Sequence, residues 1–370
     1  VELLNSGAKR EVCLRIANSK LTGHINGADF RLCVVSPDAE QFALYNLRVM
    51  VALDPVVRKA PKSFSYPTQT RPIKLPHSSE PSASIVIPVL NNLEYTIDCL
   101  RSISEFTQTD YEVIVVNNAS SDDTAETLGK IDHLTLINNK RNIGFGRACN
   151  QGAKAARGKY VVFLNNDTLP QPGWLSALIT CAERNVHSGC IGSRLIFPQT
   201  FQIQSAGVRF GKYLLPEDEF QDYAVDDPLV NSDRQVDALC GASILLRKAV
   251  FDELGGFDER FLNGLEDVDL CLQLKVQQHQ NYICAGSNVL HYKSATEGRF
   301  GREKDRINVE LFHEKWHPYL SGTIAANNNS LLAVGQLPRK FDATFEDFKL
   351  QTGTRDGSDI RCKTGRDSPG

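Results

Sequence analysis

The chain has 370 residues and a formal net charge of −3, from 41 Lys and Arg against 44 Asp and Glu. This length predicts two domains or one large α/β domain with extensions. Hydrophobic residues make up 41% and charged residues 23%, which is typical of a globular protein and excludes collagenous, coiled-coil and wholly disordered chains. Since there is no basic excess, neither nucleic acid nor an anionic membrane is expected as the main partner. The partner is therefore expected at a local site.

No stretch of the sequence approaches the roughly 18 uninterrupted apolar residues of a membrane span. The ten cysteines form no Cys-x-x-Cys pair. Several of them, such as Cys99, Cys149 and Cys271, occupy apolar positions of predicted helices, where a free thiol behaves as a small buried hydrophobe. This usage favours a reducing, cytoplasmic compartment over a disulfide scaffold or a zinc site.

Composition divides the chain into four predicted segments. Residues 1–57 alternate short apolar runs with Gly and Asn turns and predict a small β-rich accessory region. Residues 58–81 contain five prolines among Ser, Lys and Thr and predict a linker. Residues 82–319 predict the main α/β domain. Residues 320–370 predict a C-terminal extension, whose polar, Gly-rich end we expect to be disordered.

The main domain alternates β-branched runs with helical periodicity, as the βαβ units of a mostly parallel sheet do. The predicted strands are Ser84–Val89, Glu112–Val116, Leu134–Ile137, Tyr160–Leu164, Cys190–Phe197, Ser243–Leu246, Tyr282–Ala285 and Val289–His291. Helices are predicted to begin at or near Leu93, Ser121, Phe145, Trp174, Lys248 and Glu266. Polar loops follow the first four strands, at the carboxyl edge where ligands bind in open α/β sheets.

Two later regions lack a clear pattern. Residues 197–235 show no periodicity, and a loop this long in a compact domain is usually functional or mobile, so we expect a lid there. The secondary-structure signal also fades beyond Tyr319.

Asp167 comes directly after a predicted buried strand, in the segment Asn165–Asp167. A carboxylate at the ligand edge of the sheet could hold Mg²⁺ or Mn²⁺, which prefer oxygen ligands and often share them with substrate phosphates. An Asn-Asn-Asp turn is also common after strands, and the pattern alone favours neither interpretation.

Glu266, Asp267 and Asp269 place three carboxylates within four residues at a predicted helix start. The helix dipole favours acids there and explains one or two of them. Like charges this close raise one another's pKa, and a carboxylate with a raised pKa suits general-base catalysis. A functional role is therefore favoured for this group. His291 follows an apolar strand and is a ligand candidate only if the fold brings it to Asp167.

Several motifs occur in a characteristic order: Ser84–Pro88 with Asn91, Val115–Asp122, Asn142–Phe145 with Ala148, Asn150 and Gly152, and Leu164–Thr168. A later run comprises Gly241 with Ala242, Gly255–Phe261, Glu266–Cys271 and His291. Together they resemble family 2 glycosyltransferases, in the branch of rhamnosyl- and galactofuranosyl-transferases, over about residues 82–316. The resemblance implies an α/β GT-A fold, in which a Rossmann-like nucleotide-binding half is fused to an acceptor-binding half, and inversion at the anomeric carbon.

The resemblance also implies roles for particular residues. Asp267 would be the catalytic base, and Asp167 would hold Mg²⁺ or Mn²⁺ on the donor diphosphate with His291 as a further ligand. The implied donor-binding residues are Pro88, Val89, Leu90, Asn117, Gly144, Asn166 and Asp167. Among these, Asn117 would face the base and Asn166 the ribose. Acceptor contacts are expected around Trp174 and Glu266.

Two positions depart from the family pattern. Asn117 stands where the family often has Asp, although its amide oxygen can still accept a hydrogen bond from a pyrimidine N3–H. Asn165 stands at the first position of a metal motif that is often Asp-x-Asp. Asp167 is then the only carboxylate of the motif, so we expect a weaker metal site or one that depends on His291 and the diphosphate.

The implied activity is transfer of a sugar from a UDP- or dTDP-sugar to a hydroxyl of a glycan or lipid-linked acceptor, in polysaccharide biosynthesis of the cell envelope. A lipid-linked acceptor would bring a cytoplasmic enzyme to the inner face of the membrane as a peripheral protein. The alternative is a non-catalytic nucleotide-sugar- or carbohydrate-binding module, suggested by Asn117 and Asn165. Retention of Glu266 and Asp267 argues against it.

Two other enzyme classes fit the sequence less well. Gly144 begins a Gly-x-Gly stretch, but Cys149 stands at the sixth position and the stretch follows the third strand, so the dinucleotide fingerprint of a dehydrogenase is not met. A nucleotidyltransferase would usually carry a Gly-rich basic loop after the first strand. Residues 90–94 contain neither Gly nor Lys.

Overall fold

In a computed structural model of the chain, the described residues are 31–34, 43–46, 64–211, 213–292 and 302–333. Strands β1 (Arg31–Val34) and β2 (Ala43–Asn46) pair antiparallel. They fall in the segment predicted to be β-rich, whose other residues lie outside the described part of the chain. The extension after residue 333, with its predicted disordered end, also lies outside it.

A parallel βαβ unit forms one half of the main sheet. Its elements are β3 (Ala83–Val89), α1 (Leu93–Phe106), β4 (Tyr111–Asn117), α2 (Thr124–Leu128), β5 (Leu134–Asn138), α3 (Phe145–Ala155) and β6 (Tyr160–Leu164). Strand β3 lies between β4 and β6 and is parallel to both, and β5 extends the sheet beyond β4. Every residue of β3, β4 and β6 is buried, as expected for strands covered on both faces. The predicted α/β class with a parallel sheet is confirmed.

The second half of the sheet is mixed. Its elements are β7 (Thr168–Pro170), α4 (Trp174–Arg184), β8 (Ser188–Ile196), β9 (Ile203–Ser205), β10 (Val208–Phe210), β11 (Pro216–Asp218), β12 (Arg234–Val236), β13 (Ser243–Arg247), α5 (Lys248–Leu254), α6 (Glu266–Val276), β14 (Gln280–His291) and α7 (Arg302–Ala333). The strand order is β12-β14-β8-β13-β6-β3-β4-β5. Strand β13 runs antiparallel to both β6 and β8 and so joins the two halves.

Two hydrophobic clusters cover the two faces of the sheet, and alternate residues of β3 contribute to each. Val86 packs in one cluster with residues of α3, α5 and α6, whereas Ile85 and Ile87 pack in the other with residues of α1 and α4. This alternation is the period of two that a β-strand imposes on its side chains. Helices therefore cover both faces of the sheet.

Residues 197–235 were expected to lack regular structure, and this prediction is wrong. The segment contains β9 to β11 and the start of β12, and apolar side chains such as Phe201, Ile203 and Val208 are buried in it. Strand β9 pairs with β8, β10 pairs with β11, and β12 pairs with β14. Each of these strands has only three residues, which is too short to show a period in the sequence.

The end of the chain differs from the prediction in two further respects. The two strands predicted between residues 282 and 291 form one strand, β14, whose pairing with β8 shifts register between Cys284 and Asn288. Helix α7 was not predicted, and it contains residue 319, where the main domain was predicted to end. Phe312, Trp316 and Leu320 are buried at four-residue spacing along one side of this helix. Among the described helices, none is both long and apolar enough to cross a membrane.

Candidate active site

The carboxyl ends of β3, β4 and β6 bring several predicted donor-binding residues to one edge of the sheet. Val89 lies opposite Asn117 in the β3–β4 register, and the Val89 carbonyl accepts a 2.7 Å hydrogen bond from the Asn118 N–H. Pro88 and Val89 are buried within the sheet, whereas Leu90 is partly exposed just beyond it. Of these three residues, Leu90 therefore has the side chain that a nucleotide base could reach.

Asn117 uses both ends of its side-chain amide to hold the strand ends together. Its Oδ1 accepts a hydrogen bond from the Ser120 N–H at 2.9 Å, and its Nδ2 donates to Asn138 Oδ1 at 2.8 Å. An amide oxygen has two lone pairs, so an additional bond from the N–H of a base stays within its capacity.

Asn118 is a buried polar residue that the sequence analysis did not single out. Its Nδ2 donates to the Gly144 carbonyl at 3.2 Å, and its Oδ1 accepts the Ile143 N–H at 3.3 Å. These bonds fix the turn before α3, where Gly144 has φ 91°, a left-handed value that favours glycine. The Phe145 N–H at the start of α3 is bound by Asn263 Oδ1 at 2.8 Å, from a segment 118 residues away.

The structure brings His291 to Asp167. Strand β7 pairs antiparallel with the end of β14 so that Thr168 lies opposite His291, and the Tyr292 N–H donates to the Asp167 carbonyl at 3.0 Å. This pairing places His291 Nε2 3.3 Å from Asp167 Oδ1, with both side chains buried. His291 was a ligand candidate only if the fold brought it to Asp167, and the structure does so.

Gln204, on β9, sets the orientation of the His291 ring. Its Oε1 lies 2.6 Å from His291 Nδ1, and its Nε2 donates to the His291 carbonyl at 3.1 Å. An amide oxygen can only accept, so Nδ1 carries the hydrogen and a neutral His291 presents the lone pair of Nε2. That lone pair faces the Asp167 carboxylate, an arrangement that a bound cation would stabilise.

Two buried polar atoms at this position fit a divalent ion. Within the described part of the chain, neither His291 Nε2 nor Asn165 Oδ1 has a hydrogen-bond partner. His291 is the last residue of β14, and Asn165 follows β6 two residues before Asp167. Leaving a buried polar atom without a partner costs about 1–3 kcal/mol, so such atoms commonly indicate a ligand. His291 Nε2 and the Asp167 carboxylate, 3.3 Å apart, form a pair of nitrogen and oxygen donors suited to Mn²⁺ or Mg²⁺.

Asp267 lies in the first turn of α6 and is held by backbone donors. Its Oδ2 accepts the Gly241 N–H at 2.6 Å, and its Oδ1 accepts the N–H of Val268 at 2.9 Å. Gly241 is needed at this position, because a Cβ added there would lie 2.9 Å from the Cβ of Asp267. The Asp267 side chain is partly exposed, so its carboxylate can contact a substrate.

Gly241 and Ala242 connect Asp267 to the Asp167 segment. On one side the Gly241 N–H donates to Asp267, and on the other the Ala242 carbonyl accepts the Asn165 N–H at 3.0 Å. Two hydrogen bonds and two backbone residues therefore separate the predicted base from the predicted metal motif. The two carboxylates lie at the same edge of the sheet.

The other acidic residues of α6 have packing contacts. Glu266 is 3% exposed, and its carboxylate accepts the Gly264 N–H in the loop before the helix, so its acceptor role stays a prediction. Asp269 is fully buried and accepts a hydrogen bond from Trp316 Nε1 at 2.7 Å on α7. Burial raises the pKa of Asp269, although the neighbouring Lys315 lowers it in part.

Trp174 does not line the site, which corrects the acceptor role expected for it. Its side chain is fully buried in the hydrophobic cluster beside α1, and its indole N–H donates to Thr107 Oγ1 at 2.9 Å. By contrast, Asn166 Nδ2 donates to Thr96 Oγ1 near the start of α1. Thr96 and Thr107 are 11 residues apart, so at about 1.5 Å per residue Trp174 lies roughly 16 Å along α1 from Asn166.

Comparison with known proteins matches part of the chain to a family. Residues 84–255 match the model of glycosyl transferase family 2. The chain is 27% identical over 223 residues to an N-acetylglucosaminyl-diphospho-decaprenol L-rhamnosyltransferase of Mycobacterium tuberculosis, covering 54% of this chain and 72% of that protein. It is 29% identical over 326 residues to the O-antigen biosynthesis protein RfbC of Myxococcus xanthus, covering 82% of this chain and 24% of that protein.

Two further similarities are to an uncharacterized protein and to a solved structure. An uncharacterized protein of Sinorhizobium fredii is 28% identical over 278 residues, covering 70% of this chain and 30% of that protein. The chain thus spans less than a third of the length of this relative and of RfbC. A crystal structure of GalNAc-T7 with UDP, GalNAc and Mn²⁺ superposes with a TM-score of 0.49 and 16% identity, covering 57% of this chain and 43% of that one.

The α/β sheet includes the segment that matches the family model. Residues 84–255 match glycosyl transferase family 2, and the relatives of the chain include a rhamnosyltransferase. The family resemblance found in the sequence motifs is confirmed.

Proposed function

We propose that the chain is an inverting, metal-dependent glycosyltransferase that moves a sugar from a UDP- or dTDP-sugar to a hydroxyl of a glycan or lipid-linked acceptor. The main support is the link through Gly241 and Ala242, which holds the carboxylates of Asp267 and Asp167 at one sheet edge. The names of the relatives support a role in polysaccharide biosynthesis of the cell envelope, with rhamnose as the first sugar to test. A lipid-linked acceptor would bring the enzyme to a membrane surface.

The donor nucleotide would lie along the ends of β3 and β4. Leu90 and Asn117 would contact the base, and the second lone pair of the Asn117 amide oxygen would accept a pyrimidine N3–H. Gly144 at the start of α3 and Asn166 after β6 would border the ribose and diphosphate. This placement follows the rule that ligands bind beyond the carboxyl ends of the strands in open α/β sheets.

The divalent ion would be held by Asp167 and His291, with Asn165 Oδ1 as a further ligand. A bound ion would stabilise the charge that develops on the nucleoside diphosphate as it leaves. Gln204 keeps the hydrogen of His291 on Nδ1 and so leaves Nε2 as the donor atom. Since imidazole is a better ligand for transition metals than for Mg²⁺, this donor set favours Mn²⁺.

Asp267 would be the general base. An acceptor hydroxyl is a poor nucleophile, so Asp267 would take its proton while the hydroxyl oxygen attacks the anomeric carbon from the face opposite the diphosphate. The bond to the diphosphate breaks as the new bond forms, and this single displacement inverts the anomeric centre. The hydrogen bond from the Gly241 N–H orients the carboxylate.

A panel of nucleotide sugars that includes an L-rhamnosyl donor tests the proposed function. We expect one UDP- or dTDP-sugar to release its nucleoside diphosphate in the presence of Mn²⁺ and an acceptor, and chelation of the metal to stop the release. Saturable binding of a donor without any release, over the whole panel, would instead support the non-catalytic module.

Asp167→Ala tests the metal site separately from turnover. We expect this variant to lose most of the increase in nucleoside diphosphate affinity that Mn²⁺ gives the wild type, because the only carboxylate of the motif is gone. Isothermal titration with and without Mn²⁺ measures the difference. Asp252→Ala removes a carboxylate on α5 that is half exposed and serves as the control. Equal affinities of Asp167→Ala and wild type in Mn²⁺ would exclude the proposed ligand.

A further inference from the structure

A second group of metal-ligating side chains lies away from the proposed active site. It consists of Cys181 on α4, Cys284 on β14 and Asp233 in the loop before β12, and we name it the Cys–Asp cluster. The two sulfur atoms and one carboxylate oxygen all lie within 4.8 Å of one another. Both thiols are buried, with exposures of 1% and 2%, whereas Asp233 is exposed.

The Cys–Asp cluster is distant from Asp167 and His291. Cys284 pairs with Ser193 of β8 and Leu290 with Ile196, so Cys284 and His291 are separated by about four residues of β8, or roughly 13 Å at about 3.3 Å per residue. An ion in the Cys–Asp cluster would therefore not share ligands with the proposed Mn²⁺ site.

Hydrogen bonds from neighbouring groups hold the three side chains in position. Asp233 Oδ1 accepts the Ala285 N–H at 2.8 Å, and Asn185 Nδ2 donates to Cys181 Sγ at 3.8 Å. The backbone of Gly286 makes a hydrogen bond to the Cys284 thiol. Such contacts are typical of metal sites, where they orient the ligands and support the negative charge on the sulfur atoms.

A surface cavity of about 470 Å³ opens onto the cluster. Its lining includes all three ligand candidates together with Ser176, Arg184 and Asn231. The cavity gives an ion access to the buried thiols and leaves room for a fourth ligand. Zn²⁺ is commonly bound by three protein ligands with water or another molecule at the fourth position.

We propose that Cys181, Cys284 and Asp233 bind a Zn²⁺ ion, with a fourth position open to the cavity. Zn²⁺ takes both Cys sulfur and carboxylate oxygen, whereas Mg²⁺ and Mn²⁺ prefer oxygen, so the donor set selects Zn²⁺. Binding replaces the two thiol protons, which are released to solvent. The ion would join α4, β14 and the loop before the edge strand β12, three elements that are far apart in the sequence.

This proposal differs from the expectation that the cysteine usage favours a reducing compartment over a zinc site. That expectation rested on the absence of a Cys-x-x-Cys pair, but Cys181 and Cys284 are 103 residues apart and come together only through the packing of α4 on β14. A disulfide between Cys181 and Cys284 is the competing use of the two thiols, and it would give Asp233 no role.

Cobalt substitution tests the proposal on the reduced 370-residue chain. We expect Co²⁺ to give a sulfur-to-metal charge-transfer band with a stoichiometry of one, and added Zn²⁺ to remove it. The proposed Mn²⁺ site has no sulfur ligand and cannot contribute to this band. Cys181→Ala and Cys284→Ala should each abolish the two-sulfur band, and Asp233→Asn should weaken Zn²⁺ binding by more than about tenfold.

Cys190→Ala is the matched control, because Cys190 is also buried and pairs with a second thiol, that of Cys271. This variant should keep the Co²⁺ band unchanged. The proposal is wrong if the wild type gives no band, if the band persists in Cys181→Ala or Cys284→Ala, or if Asp233→Asn binds Zn²⁺ as tightly as the wild type. A Cys181–Cys284 disulfide in place of bound metal, detected by mass spectrometry after purification under reducing conditions, would also overturn it.

Discussion

Asp267 and Asp269 lie two residues apart at the start of α6, but they belong to two different regions of the molecule. Two residues turn a helix by about 200°, so their side chains point to opposite sides. Asp267 is partly exposed at the sheet edge and accepts the Gly241 N–H. Asp269 is fully buried between α6 and α7, where it contacts Lys315 and Trp316 at 2.7 Å each.

The difference shows why a shifted pKa alone does not identify a catalytic base. Burial raises the pKa of Asp269, the carboxylate that packs α7 against the domain. Asp267, the proposed base, is distinguished by its exposure and by its connection through Gly241 to the Asp167 segment. The start of α6 thus contains both a packing residue, Asp269, and a candidate catalytic residue, Asp267. The contacts and exposure of each side chain distinguish the two roles.

The largest effect is expected for Asp267→Asn. We predict a loss of about 10²–10⁴ in turnover, the usual contribution of a general base, while nucleotide affinity and the free energy of unfolding stay near the wild-type values. Asparagine keeps the shape and the acceptor for the Gly241 N–H but cannot take a proton. Steady-state kinetics and donor titration measure the two quantities. Near-normal turnover would exclude Asp267 as the base.

Asp269→Ala should show the opposite pattern. We predict a loss of about 3 kcal/mol in the free energy of unfolding, at the low end of the 3–5 kcal/mol for breaking a buried ion pair, because Lys315 keeps its contact with Asp258 at 3.1 Å. Turnover per folded molecule should change little. Denaturant unfolding and kinetics below the transition measure these effects, and a selective loss of turnover would contradict the assignment of Asp269 to packing.

Gly241→Ala tests how tightly the position of Asp267 is fixed. The added Cβ would lie 2.9 Å from the Cβ of Asp267, so the side chain or the loop must move. A displacement of about 1 Å at a reacting group can reduce turnover by about 10²-fold, and we predict a loss up to this size with donor affinity unchanged. Gly322→Ala on α7, where an added Cβ meets no atom of the described residues within 4 Å, is the control. Unchanged turnover of Gly241→Ala would show that the loop yields without moving the base.

The parts of the fold that the sequence predicted well are those with local signals. The predicted bounds of β3, β4 and β6 agree with the structure to within one residue, because strands buried on both faces are continuous β-branched runs. The same reasoning could not find β9 to β12, whose three-residue length shows no period. It also divided β14 into two strands, at the place where its pairing with β8 shifts register between Cys284 and Asn288.

The candidate site was predictable where it depends on a strand end or a helix start, and not where it depends on long-range packing. Asp167 and Asp267 follow from such local positions. Gln204 lies 87 residues from His291, and no local pattern in the sequence relates the two. The error at Trp174 has the same origin, since the sequence around a helix start does not show whether an aromatic ring faces a cleft or the core.

The smallest expected effect in the α6–α7 region is that of Asp258 on the free energy of unfolding. Hydrogen bonds from Arg260, together with the nearby Lys315, hold the pKa of Asp258 well below its ordinary value of 3.8. A carboxylate whose pKa is lowered by folding stabilises the native state above its unfolded pKa, and this contribution is lost as the pH falls below about 3.8. Arg260 is largely exposed, so we expect a contribution of at most about 1 kcal/mol.

Asp258→Asn should therefore lower the free energy of unfolding at pH 7 by at most about 1 kcal/mol and flatten its decline below pH 4. Urea unfolding at several pH values measures both. Lys315 contacts both Asp258 and Asp269. In the Asp269→Ala background Asp258 is the one of these two carboxylates that Lys315 still contacts, so Asp258→Asn should destabilise that variant more than it destabilises the wild type. Additive effects would mean that Lys315 does not couple the two residues and that Trp316 alone accounts for the role of Asp269 in holding α7.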